Sequence, residues 1–163
     1  MLISGKAWGT IDFKGDVMLL TALPLLAIIL IIYNLLAFAA PMLSGEWQGM
    51  EVFLAQGVGF TMFSGDDWHF AMGDLILVVS LVLLFIEIVK ATSTGAASII
   101  NHGLSMLVFV ICLIEFVVVQ GFANSVFFLI TVMALLDVIA GFTITIVAAK
   151  RDLGVAPGIV GTK

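Results

Sequence analysis

A chain of 163 residues that is 63% hydrophobic and only 10% charged cannot build a water-facing surface, because soluble domains carry about 25% charged residues. The formal net charge of −5 argues against nucleic acid as a partner, since phosphate binding needs a basic patch. The lone cysteine, Cys112, excludes an internal disulfide, a dithiol relay and a cysteine metal cage within one chain. These bounds describe one integral membrane domain.

Segment 1–16 mixes Gly5, Gly9 and Gly15 with Trp8, Ile11 and Phe13, and reads as a stretch lying against the inner membrane face. The first apolar run covers 17–40. About 20 apolar residues cross a bilayer core as a helix, so it reads as a span that kinks at Pro24 and stops at Pro41. Ala37-Phe38-Ala39 resembles a cleavage site. The run is nevertheless far longer than the signal-peptide core of roughly 7–15 residues, and it reads as retained.

The connection 41–73 carries Glu46, Glu51, Asp66 and Asp67 among Trp47, Phe53, Phe60, Phe63, Trp68 and Phe70. Acids with amphipathic aromatics suit the headgroup zone. Phe60–Phe63 and Trp68–Met72 flank Ser64-Gly65-Asp66-Asp67, a turn sequence, which predicts a short β-hairpin on the outer face. A competing interfacial helix over Glu51–Phe63 is weakened by Gly57 and Gly59. Three further spans are expected over 75–91, 96–119 and 125–149. Asp74 and Asn124-Ser125 stand where helix N-caps belong. The tail 152–163, with Pro157 and three glycines, is expected to be flexible.

Basic residues orient the spans. Lys6 and Lys14 precede the first, Lys90 ends the second, and Lys150, Arg151 and Lys163 follow the fourth. The connections 41–73 and 120–124 contain no Lys or Arg. Four spans with both termini cytoplasmic place every basic residue inside, as the positive-inside rule requires.

Three acids fall within the spans, where each costs about 2.5–3.5 kcal/mol at the bilayer centre. Glu87 has Lys90 three residues on, at helical pairing distance. A hairpin of spans two and three returns His102 to the depth of Glu87. This inner cluster reads as a structural ion pair or as a proton-handling group. Glu115 and Asn34 fall at similar depth near the outer ends of spans three and one. They read as a helix-joining hydrogen bond or as an outer mouth for protons or cations. Asp137 sits at the middle of span four, level with Ile28, Ile29, Leu81, Val82, Val108 and Phe109, none of which can pair with it. Ala134, Asp137, Gly141, Thr145 and Ala148 share a face roughly 80° wide. A narrow small-and-polar face suits close helix contact, so Asp137 is expected to face protein rather than lipid.

The sequence has no two-His metal motif, hydrolase elbow or phosphate loop, and no cofactor is implied. A second intramembrane histidine is missing, which argues against bis-histidine haem. Span four has no basic residue before Lys150, which excludes a voltage sensor, and no internal repeat supports an inverted-repeat transporter. The expected fold is an all-α membrane protein, a four-helix transmembrane bundle with a short extracytoplasmic β-hairpin in its first loop. The leading functional reading is a non-catalytic membrane subunit or scaffold. Its partners are the lipid bilayer and either further copies or other membrane subunits. The alternative is a proton or small-cation conduit through Glu115, Asp137 and the Glu87–His102 cluster. A lipid- or quinone-acting membrane enzyme stands third.

Overall fold

The structure is a computed structural model that describes residues 23–43, 49–92 and 96–154. In chain order it contains α1 (Leu26–Leu43), α2 (Met50–Ala55), β1 (Gly57–Thr61), β2 (Asp67–Ala71), α3 (Met72–Ala91), α4 (Ala96–Val118) and α5 (Ser125–Gly154). The whole of α3, Ile100–Val118 of α4 and Ser125–Val147 of α5 are long and apolar enough to cross a membrane. The protein is therefore a multi-span helical membrane protein with a small antiparallel hairpin. Of the first expected span, the described apolar part is Leu26–Ala39, shorter than a crossing. Residues 17–22, segment 1–16 and most of the tail, 155–163, lie outside the described residues.

Several expected boundaries move. Pro24 stands just before α1, and residues 17–22 on its other side lie outside the described residues. The Pro24 carbonyl accepts the Ala27 N–H at 3.1 Å, and the Leu25 carbonyl accepts that of Ile28 at 3.0 Å. A residue without an N–H fits a helix start, where that donor has no partner anyway. Pro41 does not stop α1, which runs on to Leu43, because one missing donor in the last turn is a small loss. Asp74 is not the N-cap of α3 but lies in its first turn, where its carboxylate accepts the Ala71 N–H at 2.9 Å. That is the reach-back half of a capping box. The helix starts early because β2 feeds directly into it. Asn124 does cap α5, its Oδ1 accepting the Phe127 N–H at 3.0 Å and its carbonyl that of Phe128 at 3.0 Å. At the other end α5 continues to Gly154, through the start of the expected tail.

Both readings of the first connection hold in part. A helix forms over Met50–Ala55 and ends before the glycines, which pass into β1. The two strands pair antiparallel, with Gly57 opposite Ala71 and Phe60 opposite Trp68. Gly57 has no alternative, since a Cβ there would stand 2.0 Å from the Phe70 carbonyl oxygen. The turn uses Gly65 at φ +90°, and Ser64 Oγ donates to Asp66 Oδ2 at 2.9 Å.

The packing order departs from chain order. Helix α5 packs against both α3 and α4, and α1 lies across both on the other side. Consecutive α3 and α4 are thus diagonal partners rather than the packed hairpin the sequence suggested. Gly73 of α3 meets Val126 of α5, where an added Cβ would come within 2.8 Å of Val126 Cγ2. That contact sets the register of these two co-directional helices. Leu26, Ile29, Leu30 and Tyr33 of α1 bury with Leu84, Val108, Cys112, Phe127, Ile130 and Ala134. Ile31, Leu35, Phe85 and Val117 face outward and exposed. Such faces are stable against hydrocarbon and a liability in water.

Candidate functional site: a buried polar cluster remote from the hairpin

The end of the bundle away from the hairpin holds a knot of polar side chains. Glu87 is fully buried at 0% exposure. Its Oε1 lies 3.0 Å from Lys90 Nζ and accepts a hydrogen bond from Asn101 Nδ2. Its Oε2 accepts the backbone N–H of Leu25 at 2.9 Å. One carboxylate therefore ties α3 to α4 and to the start of α1. The Leu25 contact satisfies a backbone donor at a helix start, where negative charge is also favoured by the helix dipole. Lys90 Nζ reaches the same segment, donating to the Leu23 carbonyl at 2.7 Å.

The expected pairing of Glu87 with Lys90 is present, and Asn101 of α4 joins it as a further hydrogen-bond donor to the carboxylate. His102 is buried against Gly141 of α5, where an added Cβ would stand 2.3 Å from Nδ1. The small residue on span four thus makes room for an imidazole.

Asp137 is buried, at 3% exposure, and faces protein. It is not isolated. Ser105 lies beside it, and Glu87, His102 and Lys90 are within electrostatic reach. The expectation of no charged neighbour came from matching depths by counting from span ends. The Gly73–Val126 contact shows the count to be offset, since it places Asp137 level with Leu84, about one turn from Glu87. Ser105 approaches Asp137 but falls short of hydrogen-bond geometry. Ser105 Oγ and Asn101 Oδ1 are both buried with no hydrogen-bond partner.

The hairpin end is built differently. Tyr33, Phe122 and Phe127 form a buried aromatic plug, with ring centroids 5.3 Å apart for Tyr33–Phe122 and 4.8 Å for Phe122–Phe127. Tyr33 is buried at 1% exposure. Its hydroxyl accepts from Asn124 Nδ2 at 2.7 Å, inside the bundle. Between plug and cluster, Ser80 donates to the Ile76 carbonyl at 2.7 Å and Thr131 to that of Phe127 at 2.9 Å. Both hydroxyl protons are spent on their own helices. Asn34 and Glu115 meet as expected, with Nδ2 donating to Oε2 at 3.0 Å. They lie on the bundle's flank, apart from the cluster.

Among the described residues no group of three His, Cys, Asp or Glu side chains is placed to hold a metal ion. Cys112 is buried as a free thiol. The chain matches no protein-family model, no curated protein and no solved structure.

Proposed function

We propose that the chain is a non-catalytic membrane subunit or scaffold. In this reading residues 1–163 form one integral domain of four transmembrane helices with both termini cytoplasmic, assembling with itself or with a larger membrane complex. The observation that carries it is the saturation of Glu87. A catalytic or transporting carboxylate needs access to substrate or water, whereas both oxygens of Glu87 are engaged by groups that hold helices together. The aromatic plug closes the other end of the bundle core. The positive-inside pattern supports the orientation.

Purification in mild detergent followed by native mass spectrometry tests the scaffold. A defined oligomer or a co-purifying membrane subunit is expected; a bare monomer at every detergent concentration refutes assembly. Topology is tested in a Cys112→Ala background. Cysteines at Ser44 or Asp66 should react with an impermeant thiol reagent in intact cells, and cysteines at Ser93 or Gly158 should not. The reverse pattern overturns the orientation.

One observation favours the conduit as a second reading. The unpartnered Ser105 Oγ and Asn101 Oδ1 lie in the same cluster as Asp137, and buried polar atoms left over by the protein are commonly satisfied by water or an ion. In this reading Asp137→Asn abolishes proton flux in reconstituted vesicles while the fold persists. Unmodified protein that gives no flux above empty liposomes ends it.

A further inference from the structure

The joint around Glu87 leaves two oxygens over, and both belong to α4. Asn101 is 3% exposed and Ser105 2% exposed. Neither Asn101 Oδ1 nor Ser105 Oγ has a hydrogen-bond partner. The orientation of Asn101 is fixed by its neighbour. Glu87 is paired with Lys90 at 3.0 Å, and an ionised carboxylate only accepts hydrogen bonds. Asn101 must therefore face it with Nδ2 and turn Oδ1 away.

Ser105 departs from the habit of the other hydroxyls in these helices. A serine or threonine inside a helix can donate to the carbonyl one turn back. Ser80 does so to Ile76 at 2.7 Å, Thr131 to Phe127 at 2.9 Å, Thr143 to Ile139 at 2.7 Å and Thr145 to Gly141 at 2.9 Å. Ser105 forgoes the Asn101 carbonyl and turns toward Asp137 of α5 without reaching it. Giving up an internal bond at a buried site is costly unless another group supplies one.

Asn101 and Ser105 are four residues apart in one helix, so they are neighbours on one face, with Cβ atoms about 5–6 Å apart. Two hydrogen bonds of about 2.8 Å through one shared oxygen cross such a gap. A cation fits less well, since calcium and magnesium take about six or more oxygens and only two are left over here. We propose that one internal water molecule is held between Asn101 Oδ1 and Ser105 Oγ. It donates a hydrogen bond to each and leaves the Ser105 hydroxyl proton to point at Asp137. The water thereby joins α5 to the carboxylate that already holds α1, α3 and α4 together. Its link to Glu87 passes through the Asn101 amide, which donates and accepts with fixed ends and does not relay a proton. The water fastens helices and carries no proton from Asp137 to Glu87. This inference rests on the same two atoms as the conduit reading, and not on flux.

The test is solid-state NMR of the full chain in vesicles, with isotope-labelled serine and asparagine, reading which carbons receive magnetisation from water. Ser80 is the internal control, buried at 0% exposure with its hydroxyl spent on its own helix. Ser105 Cβ and Asn101 Cγ should receive water magnetisation at short mixing times while Ser80 Cβ stays dark. That readout needs no variant. Ser105→Val puts methyl groups where the hydroxyl and the water stood, and should darken Asn101 Cγ. A Ser105 as dark as Ser80 overturns the proposal, because the hydroxyl then meets Asp137 directly. Signal at Ser80 as well overturns it, because water then fills the core rather than one site. An Asn101 signal that survives Ser105→Val does the same. Proton flux is scored separately in vesicles: no flux with Ser105 bright ends the conduit and keeps the water, and flux with Ser105 dark does the reverse.

Discussion

The two ends of this bundle join the same helices by different physics. Away from the hairpin, α1, α3 and α4 converge on one buried carboxylate, and Gly141 of α5 receives the imidazole of His102. At the hairpin end the joint is aromatic, with Tyr33, Phe122 and Phe127 packed in tilted and edge-on contacts and one hydrogen bond from Asn124. Lipid tails are as apolar as the core, so burying apolar area does little to hold membrane helices together. What remains is close packing and hydrogen bonding, and each end emphasises one of them. Polar joints specify partners sharply because an unpaired donor in hydrocarbon is expensive. Aromatic joints depend on shape and degrade more gradually.

The comparison is broken most directly at Glu87. Glu87→Leu leaves the Leu25 N–H, Asn101 Nδ2 and Lys90 without their carboxylate, and a loss of about 3–5 kcal/mol is expected for breaking a buried charged pair. Glu87→Gln keeps one acceptor and should cost less than half as much. Unfolding by denaturing detergent measures both; equal losses would show that the charge is irrelevant. Gly141→Ala comes next. Its methyl collides with His102, and overpacking of this kind costs about 1–3 kcal/mol. His102→Ala in the same chain should remove most of that cost, and a double-mutant cycle with no coupling would contradict the contact.

At the hairpin end Asn124→Ala removes the α5 cap and the Tyr33 hydroxyl bond together. A loss of about 1 kcal/mol is expected from the cap, with the plug otherwise intact. A loss as large as that of Glu87→Leu would erase the distinction between the ends. The smallest effect is expected at Asp137. Asp137→Asn preserves shape and volume and should change stability by no more than about 0.5 kcal/mol, the low end of what one hydrogen bond contributes. Asp137→Leu should impair packing against Ser105 and lower the yield of assembled protein.

Membrane character, three spans and the hairpin were legible from composition and residue order, because hydrocarbon admits few structures and turn sequences act locally. The Asn124 cap, the Glu87–Lys90 pair and the Asn34–Glu115 contact were legible for the same reason: spacing along one helix or similar depth in two restricts the partners. Other features were not. Asp74 looked like a cap because Gly73 precedes it, but the strand running into α3 moved the helix start. Asn101 carried no signal of its own, and only the rotation of α4 about its axis turned its amide onto Glu87. Asp137 looked free of charged neighbours because counting from span ends cannot register one helix against another to within a turn.

The sequence by itself determined the multi-span membrane character, three of the segments long enough to cross and the polar residues they carry, since those follow from solvation and local spacing. The tertiary structure decided how those residues combine. Helix α5 sits between α3 and α4, the Gly73–Val126 contact sets its height, and Gly141 opens the space for His102. These outcomes depend on close packing between segments distant in the chain, where a shift of one residue moves a side chain by about 1.5 Å along the axis and 100° around it.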